Sequence, residues 1–159
     1  MRLKNTSTID TQTIRDIIRF VKPAKVANFD IWIKKSQKAF YGRAYTDGCD
    51  YHSDLFVPYV VIRIGEPTFP LKIGGFKAYI EHYVNNITEL LITLIAHELY
   101  HLKQSRLHKR FSEKEADKYA IKKLEQYRKE KEGKMEIGQV SNSMDPSVKR
   151  EVNSANKRY

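Results

Sequence analysis

Five consecutive residues, His97-Glu98-Leu99-Tyr100-His101, constrain this chain more than any other feature of its sequence. They lie in a segment whose apolar residues recur at helical spacing: Ile87, Leu90, Leu91, Leu94, Ile95, Leu99 and Leu102. On a helix, His97 and His101 stand at i and i+4 and leave the same face about one turn apart. That spacing lets two imidazoles hold one metal ion. Glu98 lies about 100° round the helix, where it reaches a metal-bound water rather than the metal. Asn86 is placed to cap this helix, and Glu89 follows three residues later, as in a capping box. Glu89, Thr93, His97 and His101 form a row distinct from the apolar stripe, so the histidines are expected outside the packed core.

The chain is long enough for one domain with a real core. Cys49 is its one cysteine, which argues against a disulfide-stapled secreted scaffold. Residues Met1 to Thr8 show no apolar signal region, and the longest mostly apolar run, Leu90 to Ala96, is too short to span a bilayer. The expectation is an intracellular, cytoplasmic protein with no membrane partner. The net charge of +10 is uneven. Residues 1–48 and 103–134 are strongly basic, and residues 49–102, which hold the motif, are mildly acidic. Basic flanks suit a nucleic-acid partner as well as plain solubility.

Helical spacing of Ile14, Ile17, Ile18 and Val21 predicts a helix over 8–22, stopped by Pro23. Alternation of Ala27, Phe29, Ile31 and Ile33 against Asn28, Asp30 and Trp32 predicts a strand over 26–33. Further strands are expected at 38–46, ending in a Thr46-Asp47-Gly48 turn, and at about 57–64, where Pro58 suggests a sheet edge or a bulge. Residues 65–84, broken by Gly65, Pro67, Pro70, Gly74 and Gly75, read as a long connection with a short helical piece at 77–83. After a turn in a basic cluster (Lys103, Arg106, His108, Lys109, Arg110), Ser112 can cap a last helix over 113–132. Gly133 would stop it. Residues 134–159 read as an extended or mobile tail, leaving 1–133 as the domain. The fold class is therefore α+β: an N-terminal helix, a small mixed sheet of three to four strands, the motif helix and a following acidic helix.

A catalytic zinc takes three protein ligands and keeps one position open. His108 would lie about 10 Å further along the motif helix, out of reach. The extended pattern H-E-x-x-H-x-x-G-x-x-H fails, because Gln104 and Leu107 stand where Gly and His are needed. No histidine follows His108. The third ligand then falls to a carboxylate in Glu113-Lys114-Glu115-Ala116-Asp117, and both Glu113 and Glu115 are open. Glu113 and Asp117 share a helix face, and Glu115 points roughly 200° away from Glu113.

H-E-x-x-H followed shortly by E-x-x-A-D resembles the gluzincin branch of the zincin metallopeptidases. The resemblance covers residues 55–127. It implies a minimal zincin-like domain with Glu113 as third Zn²⁺ ligand and Asp117 orienting a ligand histidine. Ala116 would be the small residue that lets the two helices approach. It implies a zinc-dependent endopeptidase acting on a protein or peptide, with Glu98 as general base. The strand near 59–64 would be the edge on which substrate pairs. Tyr119, His82, Tyr100 and His108 are candidate oxyanion donors. Cys49 reads as a free structural cysteine, with occupation of the open zinc position as the alternative, and the tail reads as disordered, with docking in the cleft as the alternative. The alternative is a catalytically silent zincin-fold protein that binds or regulates nucleic-acid-associated partners.

Overall fold

The computed structural model describes residues 1–37, 40–46, 57–74 and 80–143, with side chains described as far as residue 133. The chain divides into two units, Met1–Leu124 and Glu125–Tyr159. The described part of the second unit is helical, with Gln126 donating to Glu130 one turn on.

The first unit is α+β. Its elements run β1 (Leu3–Thr6), α1 (Thr11–Val21), β2 (Asp30–Lys35), β3 (Phe40–Tyr45), β4 (Tyr59–Ile64), β5 (Leu71–Ile73), β6 (His82–Val84), α2 (Ile87–Arg106) and α3 (Glu113–Ser143), the last continuing into the second unit. A mixed four-stranded sheet has the order β1-β2-β4-β3, parallel except for the antiparallel β3–β4 pair. β5 and β6 form a separate antiparallel pair.

Each helix starts where the sequence supplies a cap. Asp10 accepts from the Thr13 amide at 2.7 Å, and Ile14, Ile17, Ile18 and Val21 bury the inner face of α1. Asn86 accepts from the Glu89 amide at 3.0 Å, and the Glu89 carboxylate reaches back to the Asn85 amide at 2.9 Å. α2 then packs on α1, β3 and β4. Ile31 and Ile33 of β2 and Val60, Ile62 and Ile64 of β4 are buried on the helix side of the sheet. Arg106 ties the end of α2 to the α1–β2 loop by donating to the Ala27 and Asn28 carbonyls. One arginine of the basic cluster is therefore committed to the fold.

Several expectations need correction. β4 is an inner strand, not an edge, because Pro58 precedes it and costs no ladder hydrogen bond; its carbonyl accepts from the Asp30 amide at 2.9 Å. The terminal strand beside α2 is β3. No pattern in the sequence marks β1, a short polar strand held by the Arg2–Asp30 ion pair at 2.7 Å. Burial pushes the Asp30 carboxyl up, and the hydrogen bonds and charge of Arg2 outweigh it, so it lies below the usual range. The strand expected over 26–33 begins at Asp30. The connection 65–84 contains β5 and β6. Of the helical piece expected at 77–83, residues 82–83 belong to β6, 80–81 lie in no regular element and 77–79 lie outside the described residues. Gly133 does not stop α3, which runs on to Ser143, so residues 134–143 are helical rather than extended. Residues 144–159, Cys49 and the Asp47-Gly48 turn lie outside the described residues.

Candidate metal centre

Thirteen residues of α2 are buried, so this helix is covered on most sides rather than along one stripe. The row that starts at Glu89 is buried too at Glu89, Thr93 and His101, and only His97 is part-exposed, in the C-terminal half of the helix. There His97 and His101 face a cleft of about 680 Å³ between β3, the β5–β6 pair and the start of α3. α3 enters through Ser112, whose hydroxyl accepts from the Glu115 amide, and Ala116 is fully buried where the helix approaches.

His97, His101 and Glu113 converge. Their nearest atoms are His97 Nε2 and Glu113 Oε2 at 3.1 Å, the two histidine Nε2 atoms at 3.1 Å, and His101 Nε2 and Glu113 Oε2 at 3.3 Å. Tetrahedral ligands about 2.05 Å from a zinc ion stand roughly 3.3 Å apart. The donor set and its spacing therefore fit such an ion.

Tautomers sharpen this picture. His97 Nδ1 lies 2.9 Å from Asp117 Oδ1, and a carboxylate can only accept, so Nδ1 carries the proton. His101 Nδ1 lies 2.9 Å from Gln104 Oε1. The Gln104 amide is oriented by its other partners: Nε2 donates to Glu115 and to the Ser112 carbonyl, and Oε1 accepts from the Ser112 amide. With Nδ1 committed in this way, an imidazole in its neutral form turns a bare Nε2 lone pair toward the Glu113 carboxylate oxygen. One proton can relieve one pair of these atoms; a divalent cation relieves all three. Burial works to lower the His97 pKa, but the hydrogen bond to Asp117 and the charges of Glu98, Asp117 and Glu113 raise it above the usual histidine value.

Glu98 is buried beside this triangle and lines the cleft. It accepts from the backbone amide of Ala44 in β3. Burial, with Glu113 adding to it, pushes its carboxyl up to about 7 against the opposing effects of His97, the Ala44 amide and Arg43. Gly42 makes this fit possible. A Cβ at Gly42 would lie 2.6 Å from Glu98 Oε1 and 3.1 Å from its Cγ.

The other expected residues divide. Asp117 is buried and joins two elements, accepting from His97 and, at 2.6 Å, from the Ile80 amide ahead of β6. Glu115 is exposed and bonds Gln104 and Tyr100. Tyr119 is not an oxyanion donor here: its hydroxyl donates to the Val21 carbonyl at 2.7 Å. Burial and neighbouring Tyr100 push that hydroxyl up to about 12. Tyr100 stacks on Tyr119 at 5.1 Å, and His108 is exposed in a left-handed turn after α2; neither lines the cleft. His82 does line it. Its Nδ1 donates to the Ile80 carbonyl at 3.0 Å, so neutral His82 offers an acceptor at Nε2, which is buried without a partner. It can donate to an oxyanion only when protonated on both nitrogens.

Sequence reasoning missed Gly42 and Gln104. The signal for Gln104 was its place three residues after His101, on the same helix face. Gly42 had none beyond a glycine within a strand pattern, a mark of close backbone approach.

The chain matches no protein-family model, no curated protein and no solved structure. Among the described residues, no helix is long and apolar enough to cross a membrane.

Proposed function

We propose that this chain is a zinc-dependent endopeptidase of the minimal gluzincin kind, working inside the cell. The observation that carries this reading is the meeting of two imidazole Nε2 atoms and one carboxylate oxygen within 3.3 Å, each imidazole fixed from behind by its own acceptor. Such outer hydrogen bonds orient ligand histidines and raise their basicity.

His97, His101 and Glu113 would hold the zinc. Bound there, it supplies a water whose pKa falls from ~16 toward ~7 and a Lewis acid for the scissile carbonyl. Glu98 takes the proton of the attacking water and delivers it to the leaving amine. The Ala44 amide and the bare Cα of Gly42 hold that carboxylate in place. Ala44 points its amide away from β4, so by strand alternation Phe40 and Gly42 turn their backbone groups to the cleft as well. An extended peptide can pair there by strand addition. β3 therefore takes the substrate-edge role expected of the strand near 59–64.

The competing reading is a silent zincin-fold module that binds or regulates nucleic-acid-associated partners. The buried, positioned Glu98 favours catalysis, because metal binding alone does not need it. Glu98→Gln separates the two. On an unfolded protein substrate it should cut turnover by about 10²–10⁴-fold while zinc content is unchanged. Undiminished cleavage by that variant rules out the mechanism.

A further inference from the structure

The sheet has a second face, turned away from α2. The strand register sets out its side chains in rows. One row is Tyr45, Tyr59, Asp30; the next is Arg43, Val61, Trp32, Lys4; the third is Tyr41, Arg63, Lys34, Thr6. A buried outer face would be apolar. Here only Val61 is aliphatic and buried.

Two features repeat across this surface. The first is aromatic: Trp32 stacks on Tyr59 at 4.9 Å, and Tyr59 on Tyr45 at 4.4 Å, with rings within 25° of parallel. Tyr41 is 40 % exposed. The second is cationic: Lys34 lies over the Trp32 ring at 4.9 Å, and Arg43 over the Tyr45 ring at 5.0 Å. Arg63 and Lys4 are exposed. Asp30 is the one carboxylate in these rows, and Arg2 neutralises it. Beside the rows, Lys35, Tyr41, Tyr45 and Arg63 line a groove of about 510 Å³.

We propose that this outer face binds single-stranded nucleic acid. Charge complementarity selects a polyanion, since the rows offer lysines and arginines against one neutralised carboxylate. Interleaved aromatic side chains select a polyanion that also carries flat rings. Unpaired bases stack on such side chains while phosphates meet the cations between them. A duplex hides its base faces and leaves the aromatic part unused. An acidic peptide or an anionic lipid surface offers charge without the rings. The proposal stands apart from the metal centre and survives its failure. The two are neighbours, however: Tyr41 and Arg43 border the metal cleft as well as this face, so a bound strand would lie next to it.

Trp32 is the only tryptophan of the chain, so its fluorescence reports on this surface alone. The full chain would be titrated with a labelled oligothymidylate at several salt concentrations, following probe anisotropy and Trp32 emission. Saturable binding with quenching of Trp32 is expected, weaker for the corresponding duplex. Tyr41→Ala should weaken binding at least about fivefold, the low end of one stacked base. Arg63→Ala should lower the slope of log affinity against log salt by about 0.7. Lys118→Ala with Lys122→Ala, exposed cations on α3, should leave both unchanged. The proposal is overturned if the oligonucleotide does not bind at low salt, or if the α3 pair weakens binding as much as Tyr41→Ala. It is equally overturned if polyglutamate or phosphatidylserine vesicles displace the probe at matched charge.

Discussion

Strand β3 turns Phe40, Gly42 and Ala44 toward α2, and Tyr41, Arg43 and Tyr45 toward the opposite side of the sheet, and the two sets obey different rules. On the helix side, space is the controlling quantity. Gly42 admits no further atom, Ala44 lends its amide to Glu98, and each histidine has its own acceptor. On the outer side, long side chains lean over one another, with cations above rings. A site that must hold a proton carrier within a few tenths of an ångström needs the first kind of order. A surface that meets a flexible polyanion works with the second.

Substitutions can break this contrast. Gly42→Ala tests it hardest. The new Cβ must displace the Glu98 carboxylate, and a misplacement near 1 Å costs on the order of 100-fold in turnover. Zinc content should hold, since none of the three ligands moves. If turnover falls by less than about threefold, Gly42 does not set the position of Glu98. Gln104→Leu probes support from behind. It removes the acceptor of His101 and should weaken zinc binding by roughly 10–100-fold in a chelator competition. Asp117→Asn should do the same through His97, and unaltered affinity in both variants would leave those hydrogen bonds without a role in the centre. The outer face should be the most tolerant. Lys34→Ala should change unfolding free energy by no more than about 0.5 kcal/mol, measured by urea denaturation. A larger loss would mean that this face, too, is built on close fit.

Local signals were readable where local chemistry decides structure. Asn86 and Glu89 announced α2, the spacing of Ile14 to Val21 announced α1, alternation located β2, and runs of aromatic or β-branched residues located β3 and β4, to within a few residues. The resemblance of E-x-x-A-D to the gluzincin pattern put Glu113 and Asp117 beside the histidines; their shared i, i+4 face agreed with it, and geometry alone left Glu115 open. What escaped depends on partners distant in sequence. β1 is four residues whose pairing rests on β2 and on Arg2 meeting Asp30. β4 read as an edge because Pro58 looked like part of the strand instead of its threshold. Tyr119 seemed free to donate until the Val21 carbonyl, 98 residues earlier, claimed its hydroxyl. Gly133 does not take the left-handed backbone angles by which a glycine ends a helix, and α3 continues through it.

The metal itself is the central claim. Purified parent protein, Glu113→Ala and Glu115→Ala would be assayed for bound zinc and for affinity against a chromogenic chelator. One zinc per parent chain is expected, with little change for Glu115→Ala. Glu113→Ala should lose more than the roughly 10–100-fold expected from removing an outer hydrogen bond. A parent that binds no zinc, or a Glu115→Ala variant that loses it while Glu113→Ala keeps it, would mean that His97, His101 and Glu113 do not form a zinc centre.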